Sequence, residues 1–163
     1  MPRPLSFSPI SQLLGLPHLC NIKFQNKKME VVHIYEDKTV AYVQADSFPE
    51  DALKSHQILH GKLPYSAERG YYGISWLEHG KIKYLAAAGL LEEGEAARHG
   101  LETFTIQAGD YLSEKVTDFK QNIPAIGQTF QRLLADPRLD PKGYCLEIYD
   151  QNDKDVHCLV KLV

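Results

Sequence analysis

From Glu30 onward apolar and polar positions alternate in short runs bounded by turn residues, a pattern that predicts strands. Val31–Tyr35 and Thr39–Val43 are β-rich runs separated by the turn Glu36-Asp37-Lys38. Ser47 can cap a helix with Pro49 in its first turn, running through Ala52, Leu53, Ile58 and Leu59 to Gly61. Tyr71–Leu77 and Lys81–Ala88 then read as a hairpin around Glu78-His79-Gly80. Gly94–Gly100, with two glycines and three charges, reads as a linker between two halves.

The second half repeats that order. Thr103–Tyr111 reads as a strand interrupted at Gly109-Asp110. Asn122 is a good N-cap, Pro124 fits a first turn, and Ile123, Ile126, Phe130, Leu133 and Leu134 share one helical face. Asp136-Pro137 ends that helix. Tyr144–Tyr149 and Val156–Val163 form a second hairpin across Asp150–Asp155. The expected fold is α+β: two strand-helix-strand-strand units, approximately 30–93 and 100–163. They would build a curved, barrel-like antiparallel sheet with two helices and a central cleft on a pseudo-twofold axis. Residues 1–29 form an N-terminal extension with one short helix at Ser11–Leu16.

One position breaks the apolar pattern. In Gly143–Tyr149 the alternation puts Tyr144, Leu146 and Ile148 on one face and Cys145, Glu147 and Tyr149 on the other. A carboxylate between a thiol and a phenol on such a strand is costly to bury unless its charge is compensated. Upstream, Gly70-Tyr71-Tyr72-Gly73-Ile74-Ser75-Trp76 has the same Gly-Tyr layout. Aligning the two glycines sets Ile74 against Glu147 and Trp76 against Tyr149, with Tyr72 on the same face. The cleft is therefore expected to gather Glu147, Tyr149, Tyr72 and Trp76 into an aromatic pocket for a cation.

Composition narrows the class. The 163 residues suffice for one domain with a real core, and 44% hydrophobic with 24% charged residues is ordinary for a globular chain. A net charge of −3 and a pI of about 6.1 give no nucleic-acid footprint. Cys20, Cys145 and Cys158 form no CxxC and have no His at ligand spacing, so neither a metal nor another cofactor is expected. An odd cysteine count without a leader suggests reduced thiols in a cytoplasmic protein, and the early leucines are too interrupted by proline to cross a membrane.

Residues Gly100–Val163 resemble the second half of the gyrase-inhibitor-like small-molecule-binding domain, the effector-binding domain of bacterial transcription activators. The resemblance rests on Gly100 and Glu102, the strand end Ala108-Gly109-Asp110-Tyr111, the helix Ile123–Leu134 and Leu146-Glu147-x-Tyr149. It extends over roughly residues 30–163 and implies a duplicated fold that binds small, often cationic and aromatic, molecules. The family's acid on its penultimate strand maps onto Glu147, and its strand-end tyrosine onto Tyr111. Residues 1–29 are too short for a helix-turn-helix, so a stand-alone member without direct nucleic-acid contact is implied.

The leading expectation is thus a cytoplasmic sensor or drug-binding module. Glu147 would take the positive charge, while Tyr149, Trp76, Tyr72, Tyr111, Cys145 and Ile74 line the pocket. The alternative is a hydrolase of strained electrophiles, in which Glu147 and Tyr111, or Tyr149, hold a water and move a proton. A third is a protein-interaction inhibitor of the gyrase-inhibitor type. Residues 1–29 would lie across the cleft through Leu5, Phe7 and Ile10 or pair with another chain, so a homodimer stays among the expectations.

Overall fold

A computed structural model describes residues 29–163. The helix expected at Ser11–Leu16, the cleft-covering role of Leu5, Phe7 and Ile10, and Cys20 lie outside the described residues. Eight strands form one antiparallel sheet: β1 (Glu30–Ile34), β2 (Lys38–Gln44), β3 (Tyr71–Glu78), β4 (Lys81–Gly89), β5 (Glu102–Ile106), β6 (Gly109–Val116), β7 (Cys145–Tyr149) and β8 (Val156–Lys161). Two longer helices, α1 (Ala52–Lys62) and α3 (Pro124–Leu134), pack on one side, and a single-turn helix, α2 (Glu95–Arg98), joins the halves. The fold class is the one expected, α+β with a curled sheet.

The strand order is β1-β6-β8-β7-β3-β4-β2-β5. Exchanging the two halves leaves that order unchanged, which puts a pseudo-twofold axis between β7 and β3. Each half holds the expected strand-helix-strand-strand unit, preceded by one more strand. The run Thr103–Tyr111 divides into β5 and β6 around Gln107-Ala108, where Gly109 takes a φ of 131°. The Glu36–Lys38 turn does not fold β1 back onto β2. Instead β1 pairs with β6 and β5 with β2, so each half supplies an edge strand to the other.

Local chemistry accounts for the elements. His79 and Gly80, at φ 51° and 75°, make the two-residue turn between β3 and β4 that suits the sheet's twist. Helix α1 starts at Ala52 rather than beside Ser47, because Phe48 and Pro49 lie in a preceding turn and Ser47 Oγ donates to Asp51 (2.8 Å). It buries only Ser55 and Leu59, while Leu53 and Ile58 are exposed. Helix α3 buries Phe130, Leu133 and Leu134 as expected, while Ile123 faces solvent.

Helix α1 packs chiefly on β4 and β2, and α3 on β8 and β6. The central strands β3 and β7 therefore form the floor of a groove between the helices. On the opposite side the curl of the sheet draws Val40, Ile74, Tyr111 and Leu146, from both ends of the strand order, into one buried cluster.

Candidate functional site

The register of β3 against β7 pairs Tyr71 with Tyr149, Gly73 with Glu147 and Ser75 with Cys145. Paired residues of an antiparallel ladder share a face, so Glu147 lies on the groove floor directly opposite a glycine. A Cβ at position 73 would collide with Glu147 Oε1 and Tyr84 Oη. Any other residue there would push the carboxyl out of place. The groove opens into a cavity of about 360 Å³. Phe48, Leu53 and His56 wall it from the α1 side, Phe119, Ile126 and Phe130 from the α3 side, and Ser75, Tyr84, Cys145, Glu147 and Tyr149 form its base. Among the described residues that line it there is no lysine or arginine.

Glu147 is 9% exposed. Its Oε1 accepts hydrogen bonds from Tyr149 Oη (2.5 Å) and Tyr84 Oη (3.0 Å). Tyr84 Oη is in turn 2.8 Å from His56 Nε2. Burial pushes the Glu147 carboxyl above its ordinary range, and the two phenol bonds pull it part of the way back. Both phenols are raised, chiefly by burial and then by the acid's charge. His56 is lowered to about 4 by burial, with His60 on the same helix adding to the effect. Cys145 is pushed up to about 12 by burial and then by Glu147, so it enters the site as a thiol wall.

Of the residues singled out from the sequence, Glu147, Tyr149 and Cys145 come together here. The others do not join them. Tyr72 and Ile74 pair with Ile148 and Leu146 of β7, and together with Trp76, two positions further along β3, they point through the sheet. Tyr72 is buried beneath Lys38 Nζ, which sits 5.7 Å from its ring centroid, and Trp76 stacks on Phe104 at 5.9 Å. Tyr111 is wholly buried on that same far face, where its hydroxyl donates to Gln107 O (2.7 Å) and lies 2.7 Å from Tyr144 Oη. Glu147 and Tyr111 therefore cannot act on one water. The cause is register: the two glycines aligned in the sequence lie an odd number of positions apart, and a slip of one residue exchanges the faces.

Sequence reasoning missed Gly73, Tyr84 and His56. Spacing held a clue to the last, because Ala52, His56 and Leu59 follow one another along a single helical stripe. Tyr84 shows its role only once β4 is paired with β3, opposite Ser75.

No protein-family model matches the chain, and no curated protein does. Solved structures do. The integron cassette protein VCH_CASS2 from the mobile metagenome of Vibrio cholerae has a TM-score of 0.63 at 12% identity, over 83% of this chain and 95% of its own. The C-terminal domain of EcmrR has a TM-score of 0.60 at 8% identity, over 85% and 99%. The fold is that of the gyrase-inhibitor-like effector-binding domain. SAV2435, solved bound to tetraphenylphosphonium, shares it with a TM-score of 0.56 at 12% identity, over 83% of this chain and 94% of its own. At these identities the likeness is one of fold.

Proposed function

We propose that this protein binds small amphipathic cations in the groove between α1 and α3, as a cytoplasmic sensor or sequestering module with Glu147 as the charge partner. The observation that carries this reading is a buried carboxyl at the base of an aromatic cavity with no lysine or arginine among the described residues that line it. A cation is the guest such a cavity lacks. Each aromatic face in contact with it contributes about 0.5–2 kcal/mol, more once water is excluded. The carboxylate adds Coulomb attraction that is weakly screened in this setting. Most of the wall is apolar and makes few directional demands, which suits ligands of varied outline. The solved complex of SAV2435 with tetraphenylphosphonium, a lipophilic cation, supports the same reading.

The test is calorimetric titration of tetraphenylphosphonium, a neutral analogue of the same shape and tetraphenylborate. The cation is expected to bind and the other two to bind far more weakly. Glu147→Gln should weaken cation binding at least tenfold, or about 1.4 kcal/mol, and leave the neutral analogue unaffected. Equal affinities in wild type and variant would remove Glu147 from the mechanism.

The Tyr149–Glu147 contact also favours the hydrolytic reading, since an acid and a phenol stand together at the cavity base. In that reading Tyr149 or Tyr84, rather than Tyr111, partners the acid. Turnover of a strained electrophile, as opposed to a single stoichiometric event, separates the two.

A further inference from the structure

The hydrogen-bond chain at the base of the cavity does not stop at the acid. It leaves the sheet and ends on a helix: Glu147 on β7, Tyr84 on β4, His56 on α1. Tyr84 has a single hydroxyl hydrogen and two near acceptors, Glu147 Oε1 at 3.0 Å and His56 Nε2 at 2.8 Å, with Tyr149 Oη farther off at 3.5 Å. It can serve one of them at a time. An ionised carboxylate takes that hydrogen, because a charge-assisted bond is roughly twice as strong as a neutral one. His56 must then present Nε2–H to the phenol oxygen and keep Nδ1 bare. When Glu147 is protonated, its own O–H can donate to the phenol oxygen. The Tyr84 hydrogen then turns to the imidazole, the better base, and His56 carries its proton on Nδ1.

We infer that His56 reports the charge state of Glu147, and so the presence of a cation, to helix α1 as a change of imidazole tautomer relayed by the Tyr84 hydroxyl. This inference rests on the cation-binding reading for its ligand, though not for its wiring. Protons balance. Where burial holds the proton on Glu147, the empty site carries one each on Glu147, Tyr84 and His56. The cation-bound site holds one each on Tyr84 and His56, and the displaced proton leaves to solvent.

The surroundings isolate the relay. From β4 and β7 the titratable groups facing His56 are Tyr84 and Tyr149, whose rings meet the imidazole edge-on at 5.8 and 5.6 Å, with Glu147 behind them. From its own helix the group acting on it is His60. Among the described residues no lysine or arginine lines the cavity beside it, and burial keeps the imidazole uncharged at neutral pH. What His56 can change there is therefore the position of its proton, not its charge. On α1 that position decides whether Nδ1 is a donor or an acceptor toward its own helix and solvent, which gives the groove wall two distinct surfaces for one fold.

The experiment is long-range proton–nitrogen correlation NMR on the full chain labelled with 15N-histidine, with and without saturating tetraphenylphosphonium, and with occupancy measured by calorimetry on the same sample. In wild type, Nδ1 of His56 is expected to change from protonated to bare, and Nε2 the reverse, as the ligand fills the site. In Tyr84→Phe the imidazole should stay in one form at saturation. An unchanged tautomer in a demonstrably occupied wild-type protein overturns the inference while leaving cation binding intact. If the phosphonium does not bind, the binding reading fails on its own, and a pH titration tests the relay instead. Ionising Glu147 by raising the pH should then switch the tautomer in wild type and not in Glu147→Gln. A switch that persists in that variant, or none in wild type, overturns it.

Discussion

At the scale of single residues, the empty site is set by two groups whose burial acts in opposite directions on stability. Glu147 holds its proton more tightly in the folded protein than in the unfolded chain, where the ordinary value is 4.5. The native form therefore binds the extra proton above that pH, and its advantage declines as pH rises through the raised folded value. His56 behaves the other way. It stays neutral in the fold down to about 4, whereas the unfolded chain takes up a proton below 6.5, so stability declines as pH falls from 6.5 toward 4. The two slopes partly cancel in wild type. Glu147→Gln removes the first, and thermal unfolding between pH 4 and 8 should show the variant gaining on wild type as the pH increases. A constant difference across that range would mean that the acid ionises in the fold as it does in water. Gly73 completes the arrangement, since the absence of a side chain leaves the space that the carboxyl occupies.

At the scale of elements, legibility followed physical cause. Strands β3, β4, β7 and β8 were readable because alternation is a property of neighbours in sequence, and α3 because its apolar stripe is strong. The partner of Glu147 was not, because register is decided by pairing across the sheet, and the helix-side faces of β3 and β7 match Gly73 with the acid. Strand β6 hid another acid in the same way. Ser113-Glu114-Lys115 has the look of a solvated segment, yet Glu114 lies on the helix side with its side chain 1% exposed. Arg132 of α3 reaches down to both its oxygens and also donates to Thr129 Oγ1 at 3.1 Å. This pair holds α3, one wall of the groove, against β6. Arg132→Met would leave Glu114 buried without a partner and should cost about 3–5 kcal/mol. The double replacement Glu114→Leu with Arg132→Met should recover most of that loss, because an apolar pair of similar size often matches a buried ion pair. Urea unfolding of the three proteins reads the difference directly.

At the scale of the whole molecule, exchange of the edge strands makes each half depend on the other, and the segment between halves has to be held accordingly. Gly94–Gly100 is less a linker than a clasp. Arg69, just ahead of β3, makes two bonds of 2.9 Å to Glu95 of α2 and a third of 2.8 Å to Gly89 O at the end of β4. Leu91 N–H closes the set on Glu95 at 2.9 Å, and both charged side chains are almost fully buried. The chain is thereby pinned where it passes into β5, the strand that completes the edge of the half it has just left. The Arg69 bonds, followed by the Leu91 amide, hold the Glu95 carboxyl down at about 2, against 4.5 in the unfolded chain. A depressed carboxylate stabilises the fold above its unfolded value, and that contribution is lost as pH falls from 4.5 through about 2. Arg69→Met should therefore unfold at a higher pH than wild type in an acid titration followed by circular dichroism. Arg69→Met with Glu95→Gln should lose this acid limb and return toward neutral-pH stability. If the single variant unfolds at the same pH as wild type, the clasp contributes nothing, and the two halves are held together by their exchanged strands alone.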